Sequence, residues 1–235
     1  MRIAEIYASL QGEGRLAGTP STFVRTSGCN LRCTWCDTPF TSWRPEGEER
    51  SVAAVHGEVT RLGLRHAVVT GGEPLLFADV PGLCAALRRD GIHVTIETAG
   101  TLLPDAAPAT IADLMSISPK LTSSAPPADT PGGWRARHEA ARRRDEVILA
   151  LMTAPHQLKF VIGSAADVDE ARRWLDDLAA AGGVIERENV LLMPEGRAPE
   201  RLAATTAWLE PECRRLGFVF APRHQIAWFG DTRGT

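Results

Sequence analysis

Short β-rich runs alternate with longer helical ones along nearly the whole chain, and no other feature constrains its fold as strongly. Ser21–Thr26, His66–Thr70, His93–Glu97, Leu114–Ser118, Gln157–Ile162, Val190–Met193 and Phe218–Ala221 have the length and composition of strands. Between them, Val52–Leu62, Val80–Arg89, Trp134–Leu151, Ala166–Ala181 and Ala198–Leu216 carry helical patterns; Asp167 caps the fourth and Gly182-Gly183 ends it. Repeated strand–helix–strand units build a parallel sheet through right-handed crossovers. With about six strands such a sheet is too short for an eight-stranded barrel, so the expectation is an α/β fold with a partial (incomplete) parallel β/α barrel. The 235 residues suit a single domain over 1–235, interrupted by a variable loop and helix insertion around 121–151, where Ser123 to Gly133 reads as loop.

Composition narrows the partners. A net charge of −3 exerts no general pull on nucleic acid or anionic membrane. The exception is Arg135, Arg137, His138, Arg142, Arg143 and Arg144, which with Glu139 interleaved read as a solvated helix face. No stretch approaches the roughly 18 apolar residues of a membrane span, and Met1-Arg-Ile-Ala-Glu-Ile-Tyr lacks the apolar centre of a secretory leader. A soluble protein of a reducing compartment, the cytoplasm, is expected, with neither nucleic acid nor membrane as partner.

In parallel α/β folds ligands bind beyond the C-terminal ends of the strands. Polar or glycine-rich endings recur there: Thr70-Gly71-Gly72-Glu73-Pro74, Glu97-Thr98-Ala99-Gly100, Ser118-Pro119-Lys120 and Met193-Pro194-Glu195-Gly196. The paired glycines place backbone where it must approach a ligand closely or adopt positive φ, and their carbonyls and amides suit the ammonium and carboxylate of an amino acid. Just past the first expected strand stands Cys29-Asn30-Leu31-Arg32-Cys33-Thr34-Trp35-Cys36. Three thiols so spaced can close around one small inorganic centre. A structural zinc takes four protein ligands, whereas a cubane iron–sulfur cluster held by three thiolates leaves one iron open to a small molecule. Both readings stand at this point, since His56, His66, His93, His138, His156 and His224 include a candidate fourth zinc ligand. A disulfide is disfavoured with five cysteines and no leader. Trp35 must lie near the centre, where it can stack on a flat ring. Cys84 and Cys213 read as buried hydrophobes, and His66 and His93, at strand starts, as uninvolved in chemistry.

Cys-x3-Cys-x2-Cys with an aromatic before the last cysteine, followed by Gly-Gly-Glu-Pro, resembles the radical S-adenosylmethionine (SAM) superfamily. The resemblance implies that Cys29, Cys33 and Cys36 hold a 4Fe–4S cluster whose fourth iron chelates the methionine amine and carboxylate. An electron from the cluster then splits the sulfonium, giving a 5′-deoxyadenosyl radical that abstracts hydrogen. It further implies that Gly71, Gly72 and Glu73 receive the methionine end and that Trp35 lies beside the adenine with Asp37 among the cofactor contacts. Ser118, Pro119 and Lys120, with Met193, Pro194 and Glu195, border the nucleoside.

Ser9-Leu10-Gln11-Gly12-Glu13-Gly14, then Arg25, then Trp35-Cys36-Asp37-Thr38 resembles the 7-carboxy-7-deazaguanine synthase family, with similarity from Ile6 to Gly230-Asp231-Thr232-Arg233-Gly234. Such enzymes contract the ring of 6-carboxy-5,6,7,8-tetrahydropterin, releasing ammonia, on the route to queuosine and other deazapurines. The residues suit a pterin. In the loop Leu10-Gln11-Gly12-Glu13, Gln11 and Glu13 offer an amide and an acceptor-only carboxylate to the guanidine-like edge. Arg25 offers a fork for the carboxylate. Thr70, Glu97 and His224 are further substrate candidates, and Lys159 is a plausible contact without an assigned place. The resemblance also implies Mg²⁺ on the hydroxyl of Thr38, a sparse site for a cation that keeps waters and borrows substrate oxygens. A homodimer and an electron donor such as flavodoxin or ferredoxin are expected with it. Two alternatives remain: a radical activase acting on a partner protein, and a non-catalytic zinc-binding interaction module.

Overall fold

The computed structural model describes residues 1–235. The strands are β1 (Arg2–Leu10), β2 (Pro20–Thr26), β3 (Glu48–Glu49), β4 (His66–Gly71), β5 (His93–Thr98), β6 (Leu114–Ile117), β7 (His156–Ile162), β8 (Val190–Pro194) and β9 (Val219–Phe220). They form one nine-stranded sheet in the order β3-β1-β2-β4-β5-β6-β7-β8-β9. From β2 onward all neighbours are parallel, while β1 runs antiparallel to β2 and carries β3 on its outer side. β3 and β9 do not pair, so the sheet is an open, partial barrel as expected.

Every expected strand is present, and β1 and β3 are additions. β1 hides from a period-two reading because its register shifts between Ile3 and Glu5. That irregularity reverses the parity, so Ile3 and Ile6 both reach the core while Glu5 and Tyr7 face the other way.

The helices are α1 (Val52–Leu62), α2 (Val80–Arg89), α3 (Pro108–Ile111), α4 (Trp134–Arg142), α5 (Asp145–Leu151), α6 (Ala165–Ala180), α7 (Pro199–Leu216) and α8 (His224–Phe229). None is long and apolar enough to cross a membrane. The single helix expected over Trp134–Leu151 is two, broken where Arg143 and Arg144 leave helical geometry. The break lets Asp145 accept from the indole of Trp174 at 2.7 Å and pair with Arg143 at 2.9 Å. The cap of α6 is Ser164 rather than Asp167. Asp167 sits in the first turn, where its Oδ2 accepts from the amides of Gly163 and Ser164 at 2.9 and 2.8 Å and from the Ser164 hydroxyl at 3.0 Å.

Side-chain alternation gives the sheet two unlike faces. Val69, Ile96, Met115, Phe160 and Leu192 belong to one core with Val55 of α1, Leu87 of α2, Trp174 of α6 and Leu209 of α7. Cys84 and Cys213 are buried there, as expected. Residues of opposite parity line the concave face. At its floor, buried His66 bonds Ser21 Oγ through Nδ1 (2.7 Å) and Thr95 Oγ1 through Nε2 (2.8 Å). With no polar group left to offer, His66 plugs the barrel; burial, then nearby His93, pushes its pKa down to about 4.

Candidate active site

The concave face opens at the C-terminal rim into a cavity of about 590 Å³. Six of the parallel strands send in inward residues from their C-terminal halves, so chemistry scattered through the sequence converges: Arg25 from β2, Thr70 from β4, Glu97 from β5, Ser116 from β6, Lys159 from β7 and Met193 from β8. The loop after β1 adds Leu10, Gln11, Gly12 and Glu13. Glu97 accepts from Gln11 Nε2 at 3.1 Å and from the Thr70 hydroxyl at 2.8 Å. Glu13 is clasped by the Lys159 ammonium, Arg223 Nε (3.2 Å) and Gln225 Nε2 (2.6 Å). Burial works against its charge, but Lys159 and Arg223 together hold its carboxyl well below the usual range. Arg25 is oriented by Glu5 (2.8 Å) and the Tyr7 hydroxyl (2.7 Å), and Tyr7 stacks on Phe23 with centroids 5.1 Å apart.

The cysteine loop leaves β2 on the same rim. Its neighbours explain the paired glycines: Gly71 has φ of 137°, and a Cβ on Gly72 would lie 2.2 Å from the carbonyl oxygen of Gly28. The close approach is thus to the cysteine loop's own backbone. Glu73 likewise serves the fold. It is fully buried outside the cavity lining, and its carboxylate accepts from the Thr98 hydroxyl and the Ala99 amide, both at 2.8 Å, and from the Leu75 amide at 3.1 Å.

All five cysteines are free thiols. Burial pushes Cys29 and Cys33 up to about 12, so as thiols they stay protonated until a metal displaces the proton. Cys36 faces the cavity, with Sγ 3.3 Å from Ser42 Oγ and 3.9 Å from the Thr38 hydroxyl. No three His, Cys, Asp or Glu side chains converge as a single-ion site. His138, the histidine against this loop, has both ring nitrogens bonded, one to the Arg32 amide and one to Ser124. The donors fit a cluster that takes thiolates at separate corners and leaves one iron open better than a four-coordinate zinc.

Trp35, Asp37, Ser118, Lys120 and Glu195 line the wall beside this loop. Lys120 Nζ donates to Ser118 Oγ at 2.8 Å and lies 5.6 Å from the Trp35 ring centroid. Asp37 accepts from Arg223 Nη2 at 2.6 Å, and Glu195 is bonded by Arg201. Thr38 also lines the cavity, whereas Pro119 and Pro194 are buried behind the wall. His224 is away from the cavity: its ring stacks on Trp228 at 5.0 Å, and only its amide reaches back, to Gly12 O at 3.0 Å. Its neighbours Arg223 and Gln225 point in instead. Nothing in their residue types separates them from surface residues before the chain is folded. Lys159 is different, since a lysine two residues from Gln157 inside an apolar strand marks an inward polar stripe.

Comparison with known proteins agrees with this geometry. Residues 23–123 match the Radical SAM superfamily. The chain is 43% identical over 238 residues to a 7-carboxy-7-deazaguanine synthase of Rhodopirellula baltica, covering 99% of this chain and 88% of that one. It is 43% identical over 241 residues to the protein of the same name in Halobacterium salinarum, covering 99% and 92%. The fold superposes on the crystal structure of QueE from Escherichia coli with a TM-score of 0.66 at 23% identity, covering 95% of this chain and 93% of that one. The chain belongs to the 7-carboxy-7-deazaguanine synthase family of radical SAM enzymes, lyases that work with a 4Fe–4S cluster and S-adenosylmethionine.

Proposed function

We propose that the protein carries out the Mg²⁺-dependent ring contraction of 6-carboxy-5,6,7,8-tetrahydropterin to 7-carboxy-7-deazaguanine, with release of ammonia, in queuosine and deazapurine biosynthesis. The observation that carries this reading is the facing arrangement in one cavity of Cys36 and its wall on one side and the Gln11, Glu13, Arg25, Thr70 and Glu97 group on the other. Cys29, Cys33 and Cys36 would hold the cluster, which with S-adenosylmethionine would supply the radical chemistry that abstracts a substrate hydrogen.

The chain's own residues do the rest. Glu13, kept ionised by Lys159 and Arg223, accepts from the guanidine-like edge of the pterin, and Gln11 reads the same edge. Arg25 presents its remaining N–H groups to the substrate carboxylate, its plane fixed by Glu5 and Tyr7. Glu97, held by the Thr70 hydroxyl and Gln11, is the acceptor beneath the ring, and Thr70 keeps an oxygen lone pair for a substrate N–H. Gly71 and Gly72 receive the methionine end of the cofactor; Trp35, Asp37, Ser118, Lys120, Met193 and Glu195 border its nucleoside. Glu73, Pro119 and Pro194 support that wall from behind, and Arg223 with Gln225 fills the role expected of His224. Thr38 offers Mg²⁺ one neutral oxygen on the cavity wall, a set that suits a hydrated ion completed by the substrate carboxylate. An electron donor such as flavodoxin or ferredoxin, a homodimeric state and a cytoplasmic location go with this reading.

The test is an anaerobic reaction of reconstituted protein with S-adenosylmethionine, reductant, Mg²⁺ and the carboxypterin, followed by mass spectrometry. Wild type is expected to form 7-carboxy-7-deazaguanine, Cys33→Ala none, and wild type without Mg²⁺ much less. Cleavage of S-adenosylmethionine without that product would defeat the pterin assignment.

A further inference from the structure

Residues 121–142 grip the cysteine loop at three places. The Thr34 amide donates to the Ser124 carbonyl at 2.9 Å. The Arg32 guanidinium lies 3.8 Å over the Trp134 ring while donating to the carbonyls of Cys29 and Leu31 at 2.8 and 2.7 Å. The Arg32 amide, between the first two cysteines, donates to His138 Nδ1 at 3.2 Å. Trp134, His138 and Ala141 share one face of α4 at helical spacing, and Ala141 packs against the cluster of Leu31, Cys33 and Ala99.

The direction of the hydrogen bonds is fixed by chemistry. An amide can only donate, so Nδ1 carries the lone pair and Nε2 the proton. Nε2–H then donates to Ser124 Oγ at 2.9 Å, and the serine hydroxyl donates to the Leu121 carbonyl at 2.6 Å. Both His138 and Ser124 are fully buried. The relay therefore runs from Leu121 through Ser124 and His138 to the backbone between Cys29 and Cys33.

We propose that His138 is a positioning residue for the cysteine loop: through the lone pair of Nδ1, locked by Ser124, it aims the Arg32 amide away from the thiols and so fixes where Cys29 and Cys33 present their sulfurs. The amide one residue earlier, that of Leu31, already points at Cys29 Sγ, 3.3 Å away. Without an acceptor at Nδ1 the part-buried Arg32 N–H loses its partner, and the loop satisfies it by turning. The Arg-rich stretch thereby acquires a purpose: Arg135, Arg142 and Arg143 pair with Glu139, Glu170, Asp145 and Asp177 and hold α4 and its flanks in place, while its one histidine does the positioning.

The inference rests on Cys29, Cys33 and Cys36 holding a cluster, and not on the identity of the substrate. Its test therefore contains no substrate. Wild type, His138→Phe and His138→Asn are reconstituted anaerobically, and the transfer of iron to excess ferrozine is timed alongside iron content and the melting temperature of the metal-free protein. His138→Phe is expected to lose iron about tenfold faster or more, the scale on which groups behind metal ligands act, with the metal-free melting temperature within a few degrees of wild type. His138→Asn, whose amide oxygen stands near the place of Nδ1, is expected to recover most of the wild-type retention. Wild-type iron loss in His138→Phe, or no recovery in His138→Asn, overturns the proposal. Should His138→Phe not fold, Ser124→Ala takes its place, with faster iron loss expected and wild-type loss overturning the proposal. A wild type that binds no iron overturns the cluster assignment and this inference together; failure to make the carboxypterin product touches neither.

Discussion

Glu13 and Lys159 illustrate how much of this site depends on single buried charges. Each is desolvated, and each is held charged chiefly by the other. Removing one partner of such a pair leaves the other buried and uncompensated, at a cost of about 3–5 kcal/mol. Lys159→Met is therefore expected to destabilise the protein by about 3 kcal/mol, discounted from the top of that range because Arg223 still faces Glu13. Adding Glu13→Gln to Lys159→Met is expected to restore part of the loss, which urea denaturation of the three variants in a double-mutant cycle measures. Additive losses would mean that the pair is not coupled. At this scale the sequence was readable where a residue broke its own pattern: Lys159 within an apolar strand, three cysteines in one loop. It was silent where the fold alone decides orientation. His224 and Arg223 are adjacent and both polar, and only the turn into α8 sends the arginine inward and the histidine onto Trp228.

Among the elements, boundaries were missed where a local side-chain bond outweighed periodicity. The pattern over Trp134–Leu151 is continuous, yet the chain breaks at Arg143-Arg144, where Asp145 binds Trp174 of α6 and Arg143 reaches Asp177 of the same helix. The start of α6 depends on Asp167, which serves three donors at once. Asp167→Ala is expected to cost about 2 kcal/mol, the combined scale of a lost cap and hydrogen bonds to a charged acceptor. Thermal unfolding checks this, and a change below about 0.5 kcal/mol, typical of a neutral surface site, would contradict it. β1 was missed for the opposite reason: a register shift erased a period that the rest of the strand obeys. Strands without such an irregularity, β4 to β8, were legible nearly to the residue.

For the molecule as a whole, a two-faced open sheet sets both stability and chemistry. His66 at the barrel floor and His138 against the cysteine loop are both pushed from 6.5 down to about 4, chiefly by burial. Above pH 6.5 both are neutral whether the chain is folded or not. Between that value and about 4 the unfolded chain takes up protons that the folded one refuses, so stability falls as the pH falls, and the slope ends near 4. The melting temperature of the metal-free protein is expected to decline between pH 6.5 and 5, where most carboxylates remain ionised; a flat profile there would contradict the burial of these rings. The fold class was legible because alternation of strands and helices leaves few topologies, and the rim because strand ends mark it. Most members of the polar network across the cavity were named beforehand, but the bonds among them and the part of Arg223 and Gln225 were not legible, since the partners come from the loop after β1, from β2, β4, β5, β7 and from the C-terminal segment and meet only when the sheet curls. The central claim is that this network serves a ring contraction that expels nitrogen, and the most direct measurement counts that nitrogen. In one anaerobic reaction with the carboxypterin, ammonia and 7-carboxy-7-deazaguanine are quantified against each other over time. The account predicts equal amounts appearing together and only with the pterin present; product without ammonia, or ammonia without product, would contradict it.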